Sequence, residues 1–384
     1  MQRSESRILT THTGSLPRPE PLVELQRRIS RGEQVDAAEL DRLIRNATRR
    51  AVERQLACGI DIGNDGEQPR EGFFTYVRYR MSGFGGEGER PPVRDLVTYP
   101  TFQALYSKMA RPSLHHAPPR AIGEVRYLSR EPLDRELATY QGILDEQPTP
   151  FLESFWTAPS PGIIACAMQN TYYGSLAEYV DAVADALAIE YEAILAHGFT
   201  LQIDGPDLAM ERHRLFADRP LAEFLDFVDL TISAINRALA NAPRDRVRLH
   251  VCWGNYEGPH NFDVPVEDLL PHLYQAKAGG LVLSMANPRH AHEYRSLARH
   301  PLPRGWVVVA GAIDTTTNFV EHPEVVADRI ERVAEAVGDP RRVLAGTDCG
   351  FDTSTGAGWV AEEVVWEKLS SLRQGAELAT KRLF

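Results

Sequence analysis

His250 and Cys252 stand two positions apart in LHVCWGNYEGPH, at the end of the short apolar run Val247–Val251. In an extended strand, residues i and i+2 point to one face, so an imidazole and a thiol leave the strand end side by side. Zinc accepts both donors, as His nitrogen and Cys thiolate. Two ligands do not make a stable site. A third lies far downstream, where the apolar run of RVLAGTDCG ends at Cys349. The expected centre is Zn2+ held by His250, Cys252 and Cys349, with one position open to a substrate thiol. The bland alternative, buried or oxidised cysteine, weakens beside His250.

Zinc with thiolate ligands lowers the pKa of a thiol in its open position, and thiolate is the nucleophile. Alkyl transfer to sulfur is the expected reaction. Activation of water for hydrolysis ranks lower, because two Cys ligands make a weaker Lewis acid than the His and carboxylate sets of hydrolytic sites. Glu67 follows the strand-like run Ile60–Asn64, and Asp204 caps the run Phe199–Ile203. Facing one mouth, these acids could hold an ammonium group. On position alone, helix-capping or surface carboxylates remain the competing reading. His12, in the first strand-end motif, could touch substrate. His260, His290 and His292 follow the metal motif and are expected to pin loops. Trp253, Tyr256, Trp156, Tyr172 and Tyr173 could line an apolar wall, although aromatic residues usually just pack.

These residues need a scaffold. One long helix is expected over Glu20–Cys58, and a capping box at Ser175–Glu178 opens another. Pro323 and Gly338 bracket a third. Strand and helix patterns alternate through most of the chain, which favours a parallel sheet. About eight strands fit an α/β fold, the (β/α)8 TIM barrel, as a single catalytic domain over residues 1–384. The singled-out polar residues all fall at carboxyl ends of strands, where barrel sites are built. An open doubly wound sheet would need a Gly-rich dinucleotide loop, and GSLPRP is not one. Residues 68–150, rich in Gly and Pro, read as an irregular insertion. It is expected to hold a hairpin near Ala121–Tyr127 and a helix near Leu133–Leu144. Such an insertion either covers the site, meets a second subunit, or is a surface excursion.

Composition narrows the partners. A net charge of −11 over 384 residues, with no basic block, argues against nucleic acid and anionic membrane surfaces. No apolar run is long enough to span a bilayer, and no signal-peptide core opens the chain. Four cysteines make a disulfide framework unexpected and a reducing cytoplasm the expected location. The expected partners are a small thiol and an alkyl donor, and a homo-oligomer is compatible.

The motifs THTGSLPRP at 11–19, GIDIGNDGEQPR at 59–70, LQIDGPDLAM at 201–210, HVCWGNYEGPH at 250–260, ANPRHAHE at 286–293 and GTDCGF at 346–351 resemble the cobalamin-independent methionine synthase superfamily. They are most similar to its short single-barrel members, which include epoxyalkane:coenzyme M transferases. The resemblance implies a zinc-bound thiol and S-alkylation. It assigns His250, Cys252 and Cys349 to the metal, Glu67 and Asp204 to the homocysteine amino group, Ser15 to the substrate carboxylate, and a catalytic aspartate to Asp314. Two departures stand out. Ser284 occupies the position of a fourth ligand, a Glu in the synthases. Thr315–Thr317 carry no His after Asp314, which puts folate in doubt as methyl donor. The expectation is methyl transfer to homocysteine, giving methionine. The alternatives are epoxide opening by a thiol such as coenzyme M, a non-catalytic barrel with a structural metal, and a metal-free decarboxylase. A sulfonate thiol would want Arg18 or Arg70, and a decarboxylase several Arg in the mouth.

Overall fold

The structure, a computed structural model, describes residues 1–110 and 118–384. Seven parallel strands form one curled sheet, in chain order: Ile62–Gly63, Glu153–Pro159, Thr200–Asp204, Val247–Val251, Gly280–Leu283, Val307–Ile313 and Val343–Thr347. The order follows from helical crossovers that return each strand beside its predecessor with one hand. Leu176–Ala196 is such a crossover. Val180, Val183, Leu187, Tyr191 and Ile194 are buried along one face, and Ser175 Oγ accepts the Glu178 N–H at 3.1 Å. The Glu178 carboxylate reaches Gly174 N instead of completing the capping box at Ser175. Pro323–Val337 ends at Gly338, whose φ of 77° is the left-handed stop that glycine allows.

The architecture is TIM-barrel-like, with seven strands in the sheet where eight were expected. The missing strand is the segment around Leu9–Thr11. It makes single bridges, Thr10 to Ala345 and Thr11 to Ile62, between the first and last strands. Thr11 N donates to Ala345 O at 2.8 Å and Ala345 N to Leu9 O at 2.9 Å. Pro17 and Pro19 follow too soon for a longer ladder. Arg248, buried inside the curl, helps hold this segment by donating to Thr11 Oγ1 and to the His12 carbonyl.

The single helix expected over Glu20–Cys58 is two, Glu20–Ser30 and Ala37–Ala57, separated at Gly32 with φ 78°. Within residues 68–150 the helix Glu131–Asp145 is present, but the hairpin expected near Ala121–Tyr127 is not a local one: Arg120–Ala121 pairs antiparallel with the distant Phe84–Gly85, and Tyr127 bridges Met81. Part of this stretch, 111–117, lies outside the described residues. Two short helices, Arg94–Thr98 and Pro100–Met109, cross the carboxyl end of the sheet. Buried ion pairs lock the insertion down: Arg80 bridges Glu190 at 3.0 Å and Glu136 at 2.6 Å, and Tyr76 and Tyr127 donate to Glu190. No helix among the described residues is long and apolar enough to cross a membrane.

Candidate metal centre and substrate cavity

Register builds the centre. Asp204 pairs with His250 across neighbouring strands. His250 Nδ1 donates to Asp204 Oδ1 at 3.0 Å, and Gln202 Nε2 donates to the same oxygen at 2.7 Å. That fixes the ring orientation, the usual device for a metal-ligating histidine. Burial lowers His250, but Asp204 and Cys252 outweigh this and raise it to about 10, so a metal ion would take the place of the Nε2 proton. Nε2 is buried and makes no hydrogen bond. Ligand atoms of His250, Cys252 and Cys349 lie within 4.8 Å of one another, all three residues buried. The Cys349 thiol donating to Cys252, with His250 beside it, holds Cys252 well below the usual thiol range and pushes Cys349 up. One orphaned imidazole nitrogen and two apposed sulfurs are the donor set of a soft or borderline cation, and they fit zinc.

The loop after Val343–Thr347 carries Cys349 into place. Asp348, buried, accepts the N–H groups of Met285, Ala286 and Asn287, each at 2.8 Å. Burial, reinforced by Asp314, raises its pKa to about 7. Ser284 Oγ donates to the Asp348 carbonyl at 2.7 Å, so the hydroxyl at the place of a fourth ligand is engaged with backbone.

The three donors share a cavity of about 170 Å³ with Ser15, Glu67 and Asp204. Glu67 sits at φ 56°, left-handed backbone that a non-glycine residue adopts at a cost. The Arg18 guanidinium, donating to the Glu67 carbonyl at 2.9 Å, helps hold that turn. Thr157 donates to Glu67 Oε1 at 2.9 Å, whereas Oε2 is buried without a partner. Burial, then the Asp204 charge, raises Glu67 to about 7. A Cβ on Gly14 would stand 2.6 Å from Glu67 Oε1, and one on Gly350 would stand 2.1 Å from Ser15 Oγ. Both glycines let the loops close around these side chains.

The structure does not bring every expected residue here. His12 is not among the cavity walls. Its Nε2 meets Gln55 at 2.8 Å, its Nδ1 accepts the Gly14 N–H, and burial lowers it to about 4. It is a neutral prop for the Thr13–Ser15 loop, because both ring nitrogens are taken. Asp314 lines a small void behind Cys252 and Cys349, and its Oδ1 accepts Thr316 N and Thr317 N. His260 and His290 pin loops through Asp263, as the sequence led us to expect. The aromatic wall differs. Of the five residues proposed for it, only Tyr256 lines the cavity. Trp253 stacks on His290, Trp156 packs under Arg70, and Tyr173 stacks on Tyr179. The wall instead uses Phe73, Tyr106 and Trp359, with Val93 and Leu96 from the insertion. Sequence reasoning also missed Asn255, which donates to the Gly350 carbonyl at 2.8 Å, and Arg214. Asn255 lies inside the HVCWGNYEGPH motif, three residues past Cys252, whereas nothing in the local sequence marks Arg214.

A family model described as "Cobalamin-independent synthase, Catalytic domain" matches residues 8–366. The chain belongs to the cobalamin-independent synthase family. A methionine synthase of Saccharolobus solfataricus is 23% identical over 377 residues, covering 97% of this chain and 95% of that one. A 2-hydroxypropyl-CoM lyase of Xanthobacter autotrophicus is 26% identical over 182 residues, covering 41% of this chain and 46% of that one. The solved structure of a B12-independent methionine synthase from Shewanella sp. W3-18-1, in complex with selenomethionine, superposes with a TM-score of 0.75 at 22% identity. It covers 98% of this chain and 99% of that one, which establishes the synthase-family fold.

Proposed function

We propose that this protein is a zinc-dependent S-alkyltransferase whose reaction is methyl transfer to homocysteine, giving methionine, in the cytoplasm. One observation carries the reading. Two buried atoms without partners, His250 Nε2 and Glu67 Oε2, belong to residues lining the same cavity. The first suits a metal ion, and the second suits a cation that arrives with substrate. His250, Cys252 and Cys349 would hold the zinc. When bound there, it would lower the pKa of an incoming thiol so that thiolate exists at neutral pH.

The chain's own residues do the rest. Asp204 keeps His250 Nδ1 protonated and leaves Nε2 for the metal. Glu67 and Asp204 receive the ammonium group of the amino acid, whose charge relieves the repulsion between the two buried carboxylates. Ser15 takes the carboxylate end. Phe73, Tyr106 and Trp359 exclude water above the sulfur. His12 and Asp314 act at one remove, as positioning residues for the loops that carry Ser15 and Cys349.

The second reading is epoxide opening with coenzyme M as the thiol. The lyase relative and Ser284 in place of a carboxylate ligand favour it. Against it, Arg18 is spent on Asp352 and on the carbonyls of Glu67 and Arg70, and Arg70 is buried against Thr157. The test is zinc-loaded protein assayed with homocysteine, coenzyme M and glutathione against methyl and epoxide donors. Methylation of homocysteine alone is expected. Turnover of coenzyme M with an epoxide establishes the second reading. A zinc that binds no thiol establishes a structural metal.

A further inference from the structure

The cavity has two charged ends. Glu67 and Asp204 mark the floor, beside the metal donors. Arg90, from the insertion, and Arg214, just after the turn Glu211–His213, mark the outer wall. Arg90 is engaged, donating to Glu211 Oε1 at 2.6 Å. Arg214 is not. Its Nε donates to the Pro91 carbonyl, which fixes the plane of the guanidinium. Among the described residues no carboxylate lies within ion-pairing distance of it, and Nη1 and Nη2 bond to nothing. Burial, and then Arg90, lowers Arg214 to about 10, so it remains a cation at neutral pH.

The two ends act on different groups. The charges bearing on Glu67 are Asp204, Arg70, Arg18 and Asp65. Those bearing on Arg214 are Arg90, Glu211, Tyr106 and Tyr256. An apolar belt of Phe73, Val93, Leu96 and Trp359 lines the same cavity. Arg214 is half-buried in the cavity wall, and its two Nη groups have no acceptor among the described residues. Its fork matches a carboxylate, phosphate or sulfonate by paired hydrogen bonds.

We propose that Arg214 binds the anionic group of the second substrate: an alkyl donor bearing a carboxylate, phosphate or sulfonate on an apolar stem that lies along the belt. That the ligand is the donor rests on the thiol-alkylation reading. That an anion binds at Arg214 does not. The floor already offers an amino-acid thiol its ammonium and carboxylate partners, which leaves the outer cation for the other reactant.

The test is calorimetric titration of the zinc-loaded full chain with hexanoate, hexyl phosphate and hexanesulfonate, against 1-hexanol. Homocysteine is titrated separately. At least one anion is expected to bind the unaltered protein more tightly than 1-hexanol, and the tightest head group identifies the donor's anion. Arg214→Gln is expected to weaken that anion about ten- to a hundred-fold, the range of a hydrogen bond to a charged group, with homocysteine binding unchanged. Anions that bind no better than 1-hexanol, or an unchanged affinity in Arg214→Gln, overturn the proposal. So does an equal loss for homocysteine, which would put Arg214 on the thiol. Should Arg214→Gln lose its melting transition, Arg214→Lys carries the comparison. Its point charge lacks the fork, so it should weaken the anion and spare 1-hexanol; equal affinity there overturns the proposal. Failure of homocysteine to bind the unaltered protein overturns the thiol reading and leaves the anion site standing.

Discussion

Among the described residues, two clusters have the residue types and spacing of a metal site, and they lie close together. One is His250, Cys252 and Cys349; the other is His260, Asp263 and His290. In the second, the atoms that face one another are already bonded together, although Asp263 Oδ1 and His290 Nδ1 are buried without a hydrogen bond. His260 Nδ1 and His290 Nε2 both meet Asp263 Oδ2 at 2.9 Å, and His260 Nε2 meets the Tyr256 carbonyl at 2.9 Å. Asp263 Oδ1 faces His213 at 3.6 Å, and His290 Nδ1 faces Glu293 at 3.7 Å. In the first, the carboxylate is spent on the far nitrogen of the histidine, and the near one is left open. The difference teaches that ligand spacing is a weak criterion. What separates the two is whether the convergent atoms, the ones a metal would need, are already bonded to each other, as His260 Nδ1, His290 Nε2 and Asp263 Oδ2 are.

The sharpest way to break the comparison is Cys349→Ala. Bound zinc and thiol alkylation should both be lost by elemental analysis and product assay, whereas His290→Gln should keep both. Full zinc occupancy in Cys349→Ala would remove the contrast. Next is Asp204→Asn, which should weaken metal affinity about 10- to 100-fold, as loss of a partner behind a ligating histidine does. A competitive chelator titration reads that change.

Glu67→Gln separates binding from stability. The KM for homocysteine should rise about ten-fold or more, from loss of a charged hydrogen bond. Without thiol, the variant should melt higher than the parent at pH 8. Glu67 titrates near 7 when folded, against an ordinary value of 4.5, so the folded state binds the extra proton. The parent's stability should therefore fall as pH rises through that interval, and the variant should lack that part of the fall. A lower melting point in the variant would count against an uncompensated Glu67.

The smallest effect concerns the brace. Burial lowers His290, but its bonds to Asp263 and Glu293 outweigh this and raise it from 6.5 to about 9. Its stabilisation is complete below the unfolded value and lost as pH climbs to the folded one. Urea unfolding between those limits should show a decline of about 1 to 3 kcal/mol that His290→Gln flattens.

The convergence of His250, Cys252 and Cys349 with Glu67 and Asp204 on one cavity, and the alternating scaffold, were legible in the sequence because strand periodicity places i and i+2 together and strand ends converge. The strand boundaries at His250 and Asp204 followed from apolar runs that stop at polar residues. The seven-strand count was not legible. Ile8–Thr10 reads as β, but its partners are set by Arg248 and Ala345, hundreds of residues away. Nor was the aromatic wall: Trp253 directly follows Cys252, yet its indole N–H donates to the Val264 carbonyl at 2.7 Å and turns the ring onto His290. Tyr106 and Trp359, remote in sequence, take the wall because the insertion crosses the mouth. Arg214 gave no signal because its meaning lies in a missing partner.

The stitching of the Thr10–Arg18 segment to the loop after Val343–Thr347 bears on how the protein is made. Phe351 N donates to the Ser15 carbonyl at 2.9 Å, and Arg18 pairs with Asp352 across 334 positions. Contacts of such separation come late, after much loop-closure entropy has been spent. A ribosome must release almost all of this chain before Ser15 and Cys349 can meet. Until then Cys252 is without the Cys349 thiol that holds its pKa down.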